Sequence, residues 1–323
     1  MTNQELIKEL LSSMRVLALP MKTDFRGINV REVALFRGEY GWAEFSPFLE
    51  YDDRESARWL ACALEAASKP RPKSRRSSIP VNGTIPATNE KKTIDELIAT
   101  YQGVKTFKVK VGENLSEDIV RLSRIRSLGR NVKIRIDVNG LWSVEKALTN
   151  LYAFYEEVGP FEYVEQPCET LQELRELKEK IRIPLKIAVD EIIRKADDPF
   201  AINLEGAADI VMLKVQPLGG ITRSLEIADH HQLPVVVSSA LESAVGIGYG
   251  LELASSIESL PYDCGLATGA LFTRDVAQLE ISDGVIVSDN SRDSNLNFDG
   301  LDVAAERFEW WQNRVMRCAE LIS

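Results

Sequence analysis

Histidine is almost missing from this chain: two of 323 residues, the adjacent pair His230 and His231. Imidazole is the commonest ligand for zinc and the commonest general base, so chemistry built on it has only that pair to use. The pair ends an apolar-periodic segment that precedes a strand-like run, which places it at a helix C-terminus, far from the residues discussed below. Cysteine is also scarce. Cys62, Cys168, Cys264 and Cys318 are widely scattered and show no Cys-x-x-Cys spacing. A disulfide framework and a thiolate metal site are both excluded, and a reduced, cytoplasmic chain is expected. No apolar run approaches the roughly 20 residues of a membrane span. The first residues are amphipathic and mixed in charge, unlike a secretory signal. Nor is there an excess of positive charge. With 39 basic and 49 acidic residues the net charge is −10, which argues against a nucleic-acid partner. The one basic run, residues 69–76, reads as a solvated connection between domains.

What the chain does have is a repeat. Five short apolar runs, 105–111, 132–137, 163–165, 185–190 and 210–214, each carry or end on a charge that a buried strand should not hold. Helix-like segments separate them, and strand–helix alternation predicts a parallel sheet. The acids Asp137, Glu165 and Asp190 recur at intervals of about one βα unit, and Lys108, Lys110 and Lys214 lie on the flanking strands. If the sheet closes into a barrel, all six meet at its C-terminal face, where barrel enzymes keep their sites. A lone Asp after a strand is often a helix cap, and a lone Lys often reaches for solvent. Six charges in register on successive strands are costly unless a cation and a substrate are expected among them.

Taken in order, residues 1–78 read as an α+β unit, with a hairpin over 30–45 and a helix over 56–68. Residues 79–287 give about eight βα-like steps. These begin with a strand over 79–85 and end with a short one over 264–269. Ser116 and Ser143 are the expected N-caps of two of the helices. The segment 288–323, helical from about 304, lies outside the repeat and is expected to return to the first unit.

Three carboxylates on adjacent strands make a hard oxygen site, which suits Mg²⁺ and not zinc or iron. Lys108 and Lys110 are two apart on one strand, so both face the interior. Crowding them beside a metal should lower the pKa of each and produce a usable base. Lys214 arrives from the other side. A base, a metal and an opposing cation are a layout for removing a proton α to a carboxylate, with the metal stabilising the enediolate. Which of the two neighbouring lysines is the base stays open on this reading.

The Lys-x-Lys of Lys108 and Lys110, the Arg-x-Asp-x-Asn of Arg135, Asp137 and Asn139, the Glu-Gln-Pro from Glu165 to Pro167, the pair Asp190 and Glu191, and Lys214 together resemble the enolase superfamily, muconate-lactonizing subgroup. The resemblance implies a (β/α)7β modified TIM barrel with an N-terminal α+β capping domain completed by the C-terminal segment. It implies Asp137, Glu165 and Asp190 as Mg²⁺ ligands (Mn²⁺ a possible substitute), Lys110 and Lys214 as catalytic, and Lys108 as assistant. The Asp-x-Asp that dipeptide epimerases carry on strand eight is missing here. Residues 238–243 and the Gly-Leu-x-Thr-Gly from Gly265 are instead similar to the o-succinylbenzoate synthase family of menaquinone biosynthesis. That family dehydrates 2-succinyl-6-hydroxy-2,4-cyclohexadiene-1-carboxylate to 2-succinylbenzoate. N-acylamino-acid racemase or cycloisomerase activity on the same rim is the alternative, and a catalytically silent binding barrel a more distant one. The substrate-contact candidates are Arg26, Arg135, Asn139, Ser239 and Gly265. The expected partner is a small carboxylate, with no nucleic acid; oligomeric state is left open, and a monomer suffices.

Overall fold

A computed structural model describes residues 3–112, 114–288, 293 and 295–322. After helix α1 (Asn3–Ser12) come three antiparallel strands in the order β1 (Arg15–Phe25), β2 (Ile28–Gly38) and β3 (Gly41–Phe45). The turn between the first two rests on Arg26 and Gly27, both at positive φ (57° and 78°), the backbone that a two-residue hairpin needs. Helix α2 (Asp53–Ser68) covers this sheet; its N-cap Asp52 accepts from the Glu55 N–H, and it buries Trp59 completely.

Next comes a curled, seven-stranded parallel sheet: β5 (Gly83–Ile85), β6 (Thr106–Lys110), β7 (Lys133–Asp137), β8 (Tyr163–Glu165), β9 (Ile187–Val189), β10 (Ile210–Lys214) and β11 (Val235–Ser238), neighbours in that order. Helices α3 (Lys91–Thr100), α4 (Leu115–Arg126), α5 (Val144–Val158), α6 (Leu171–Lys180), α7 (Glu191–Arg194), α8 (Val215–Leu218), α9 (Ile221–His231) and α10 (Ala244–Ser256) connect or follow the strands. Single parallel bridges from Val81 to Cys264 and from Ser238 to Gly265 close the ring. The expected eighth strand over 264–269 is therefore only two bridging residues long. A Cβ at Gly265 would lie 2.4 Å from Ser238 Oγ, so only glycine lets the backbone approach β11 there. The chain then tightens into a 3₁₀ turn, Thr268–Leu271.

Two further expectations need correcting. The strand over 79–85 is split: β4 (Ser78–Pro80) pairs antiparallel with β12 (Val285–Val287), Val81 makes the single bridge to Cys264, and β5 pairs with β6 in the barrel sheet. Asn114, not Ser116, caps α4, accepting from the N–H groups of Ser116 and Glu117. Ser143 caps α5 as read, accepting from the Lys146 N–H. The last helix, α11 (Ala305–Glu320), packs on α2, with Trp311 fully buried edge-on to Phe45 at 5.8 Å. No helix among the described residues is long and apolar enough to cross a membrane.

Candidate active site

Register gathers the charges. Lys110 pairs with Asp137 across β6 and β7, and Asp137 with Glu165 across β7 and β8. Asp190 directly follows β9, and Lys214 ends β10. These residues thus form one row along the C-terminal rim, all buried except half-buried Lys110. Lys108 Nζ lies 2.9 Å from Glu165 Oε2 and 3.3 Å from Asp137 Oδ2. Lys110 Nζ lies 2.9 Å from Asp137 Oδ2 and donates to Asn139 Oδ1. Opposite, Lys214 Nζ lies 2.6 Å from Asp190 Oδ2 and 3.9 Å from Glu165 Oε1. Positive φ at Asn139 (56°) and Gln166 (41°) turns the chain sharply just past the strand ends. Gln166 Oε1 accepts from the Asp190 and Ile192 N–H groups and so ties β8 to the residue beyond β9.

These contacts set the electrostatics. Burial depresses Lys110, aided by Lys108 and Lys214 and only partly countered by Asp137. Lys108 does not share that fate, contrary to the expectation for the pair. Burial works against its charge, but Glu165 and Asp137 outweigh it and raise the ammonium above its ordinary value. Lys214 is raised likewise: Asp190 and Glu165 overcome burial. Asp137 and Asp190 are held well below the carboxylate range because their lysine partners, with Arg194 beside Asp190, overcome burial. Burial with Asp137 close by pushes Glu165 up to about 7, against the pull of Lys108 and Lys214.

Among the described residues no three His, Cys, Asp or Glu side chains stand close enough to cage a metal as placed, since ammonium groups lie between the carboxylates. The donor chemistry nevertheless fits a hard cation. Asp137 Oδ1 and Asp190 Oδ1 are buried oxygens with no hydrogen-bond partner, and with Glu165 they complete an all-oxygen set.

Above the row lies a cleft of about 550 Å³, counting the solvent at its mouth. Lys108, Lys110, Asp137, Asn139, Lys214, Arg26, Ser239 and Gly265 line it. Ser239 Oγ donates to the Gly265 carbonyl at 2.8 Å and bonds Thr268 Oγ1 at 2.8 Å. Arg26 stacks over Phe48 at 4.3 Å and donates to the Tyr51 hydroxyl at 3.3 Å. Arg135, expected among the substrate contacts, does not line the cleft. It is fully buried in the barrel, donating to Glu162, Asn82 and the Asp263 carbonyl while stacking on Tyr163. Fixed by these partners, it is a brace inside the barrel. His230 and His231 sit at the end of α9, away from the cleft; His231 Nε2 contacts the Pro199 carbonyl.

Sequence reading missed a set of polar contacts that ties the site to the N-terminal unit. Glu191 joins Asn139 Nδ2 (3.0 Å) to Arg194 Nη2 (3.0 Å), and Arg194 Nη1 reaches the Tyr51 hydroxyl (3.3 Å). The i, i+4 spacing of Asp190 and Arg194 on a short helix was the available signal. Arg314 of α11, whose guanidinium holds the carbonyls of Phe48 and Tyr51 at 3.0 and 2.6 Å, had none.

The Enolase N-terminal domain-like family matches residues 16–67, and the Enolase C-terminal domain-like family matches residues 92–290. The chain belongs to the enolase superfamily. Within it, the chain is 45% identical over 320 residues to an o-succinylbenzoate synthase of Mycobacterium ulcerans (strain Agy99), covering 98% of this chain and 96% of the relative. The corresponding synthase of Mycolicibacterium smegmatis (strain ATCC 700084 / mc(2)155) is 42% identical, with 98% of each chain covered. Among solved superfamily structures, muconate lactonizing enzyme from Pseudomonas fluorescens superposes with a TM-score of 0.71 at 19% identity, covering 92% of this chain and 97% of that one. The L-Ala-D/L-Glu epimerase from Bacillus subtilis gives 0.71 at 21% identity, with 85% and 94% covered. At such identities these two speak for the superfamily fold alone.

Proposed function

We propose that this chain is an o-succinylbenzoate synthase, a dehydratase acting on 2-succinyl-6-hydroxy-2,4-cyclohexadiene-1-carboxylate. One observation carries the proposal: two lysines line one cleft, each against its own carboxylate, in a chain similar over its whole length to such synthases. Lys110 Nζ, the half-buried and depressed amine, takes the proton α to the substrate carboxylate. The C–O bond on the neighbouring ring carbon then breaks. The proton held on Lys110 leaves with the hydroxyl as water, and the ring becomes aromatic. Lys214, buried and kept charged by Asp190, faces the charge that builds on the carboxylate. Lys108, bridging Glu165 and Asp137, holds those two acids in place. Asp137, Glu165 and Asp190 would hold Mg²⁺, as members of the superfamily generally do. When bound, Mg²⁺ supplies positive charge against the substrate carboxylate. Arg26, Asn139, Ser239 and Gly265 surround the rest of the substrate. The proposal includes a division into a cap (1–78), a barrel (79–287) and a segment returning to the cap (288–323), and a cytoplasmic location.

The direct test follows loss of diene absorbance by the purified protein with Mg²⁺ and after EDTA. Fast turnover that EDTA abolishes and added Mg²⁺ restores is expected. A folded, Mg²⁺-loaded protein that leaves the diene untouched but exchanges the α-proton of N-acylamino acids would overturn the synthase reading in favour of a racemase.

A further inference from the structure

Around the cleft, the N-terminal unit grips the barrel by the ends of its helices. Glu65 of α2 accepts from the N–H groups of Ile221 (2.6 Å) and Thr222 (3.2 Å), the first residues of α9. Arg58 of α2 donates to the carbonyls of Arg194 and Ala196 at the end of α7 (3.0 and 2.6 Å). The grip is tightest on the segment joining β11 to α10. Glu44 of β3, 3% exposed, accepts from the Ser243 N–H (3.2 Å), the Ser243 hydroxyl (2.5 Å) and the Gly246 N–H (2.9 Å), and also from the Ser46 hydroxyl (2.6 Å). Arg31 of β2, 2% exposed, donates through Nε to the Leu241 carbonyl (3.1 Å) and through Nη2 to the carbonyls of Ser46 and Ala240.

The gripped segment is a wall of the cleft: Ser238, Ser239, Ala240 and Leu241 all line it. Leu241 has φ +64°, a left-handed backbone that a non-glycine residue keeps only where its surroundings over-determine it. Its own carbonyl is among those that Arg31 holds. The next turn is closely packed: a Cβ at Gly246 would come within 2.6 Å of Glu242 Cβ and 2.8 Å of Gln216 Nε2. We propose that Glu44 and Arg31 are positioning residues, which act through residues 240–246 to set the substrate-facing wall of a cleft they do not themselves line. A negative charge at the α10 N-terminus and a guanidinium on the carbonyls before it suit this role, since both take hold of backbone that has no partner of its own in a helix or strand. Neither residue touches the lysine–carboxylate row. Loss of the clamp should therefore weaken substrate binding and spare the chemical step.

The kinetic arm of the test rests on the proposed synthase activity; the other arm does not. Glu44→Gln keeps the shape of the side chain but turns an amide toward the donors of α10. Its control is Glu32→Gln. Glu32 binds Arg307 and Trp311 of α11, both at 2.7 Å, and among the described residues its side chain makes no hydrogen bond to the barrel. In Glu44→Gln, the amides of Ser243 and Gly246 should exchange with solvent roughly tenfold faster, and KM for the diene should rise by about the same factor. Its kcat should stay within about threefold of the unmodified chain, the pattern of lost uniform binding. Glu32→Gln should move neither quantity, even if it lowers the melting temperature equally. If Glu44→Gln does not fold, Arg31→Lys keeps the charge, loses the fork that spans several carbonyls, and should show the same pattern. Unchanged exchange and KM, or equal changes in the Glu44 or Arg31 variant and the Glu32 control, would overturn the clamp. If the unmodified chain fails to turn over the diene, the synthase reading falls, and the exchange comparison alone decides the clamp.

Discussion

Three ammonium groups stand among three carboxylates, yet only Lys110 is shifted downward: burial lowers it, and a single close carboxylate, Asp137, opposes that, where Lys108 and Lys214 each have two acids nearby. That asymmetry bears on which amine takes the proton, though the neighbouring carboxylates would also face any bound cation. Lys110→Ala should lower kcat by at least about 10²- to 10⁴-fold, the usual contribution of a positioned base, with circular dichroism unchanged; near-normal turnover of the diene would assign the base elsewhere. At this scale the sequence was most informative. A charge ending a buried strand violates the apolar pattern around it, so Asp137, Glu165, Asp190 and Lys214 could be picked out one by one. Arg135 breaks the pattern in the same way but serves the interior of the barrel, because its place along β7 is two residues short of the rim. Glu44 was the converse case. It lies in an alternating hairpin strand, where an acid reads as solvent-facing, and nothing nearby in sequence shows that it meets α10 some 199 residues later.

Elements were legible where one periodicity governed them and illegible where two neighbours competed for the same backbone. The run over 79–85 has the composition of one strand, yet Ser78–Pro80 pair with β12, Val81 only bridges Cys264, and Gly83–Ile85 pair with β6 in the barrel sheet. α10 shows the limit of helix patterning, being buried on nearly every side and so lacking a polar stripe. Its ends carry the polar requirement instead. Glu44 serves the N-terminus, and the basic run before β4 serves the other end: Arg76 donates to the carbonyls of Ala254 (2.6 Å) and Glu258 (2.9 Å), and Arg75 to that of Ser256 (3.0 Å). The run expected to be a solvated connection is a helix C-terminal clasp, hidden from sequence reading because its targets lie 178 to 182 residues away. Arg76→Ala should lower unfolding free energy by about 1–3 kcal/mol, the cost of leaving the part-buried Ala254 carbonyl without a charged donor. Arg75→Ala, on a more exposed side chain, should cost less; denaturant titration of both variants makes the comparison.

For the molecule as a whole, the join between the N-terminal unit and the barrel is also where protonation bears on stability. Burial and Glu44 push Glu242 up to about 7, against its backbone donors and Arg31. Burial, with Glu44 contributing, does the same to Asp275, against the N–H groups of Val276 and Ala244. An acid whose folded pKa exceeds its unfolded one binds more protons when folded. The stability it contributes is complete below the unfolded value, 4.5 for Glu242, and is lost as pH rises through about 7. Glu242→Gln should remove that loss. Its melting temperature relative to the unmodified chain should therefore be higher at pH 8 than at pH 5, and a pH-independent difference would show that Glu242 does not titrate in this range.

The position of α11 has one more implication, for synthesis. Trp311 fills the space against Phe45, and Arg314 fixes the backbone at Phe48 and Tyr51. A chain leaving the ribosome thus carries the strands of its roof ahead of the barrel but cannot seal them until α11 emerges behind it. The barrel is translated while its covering sheet is still open, and Leu17 can pair with Asp302 only after every barrel strand has been made.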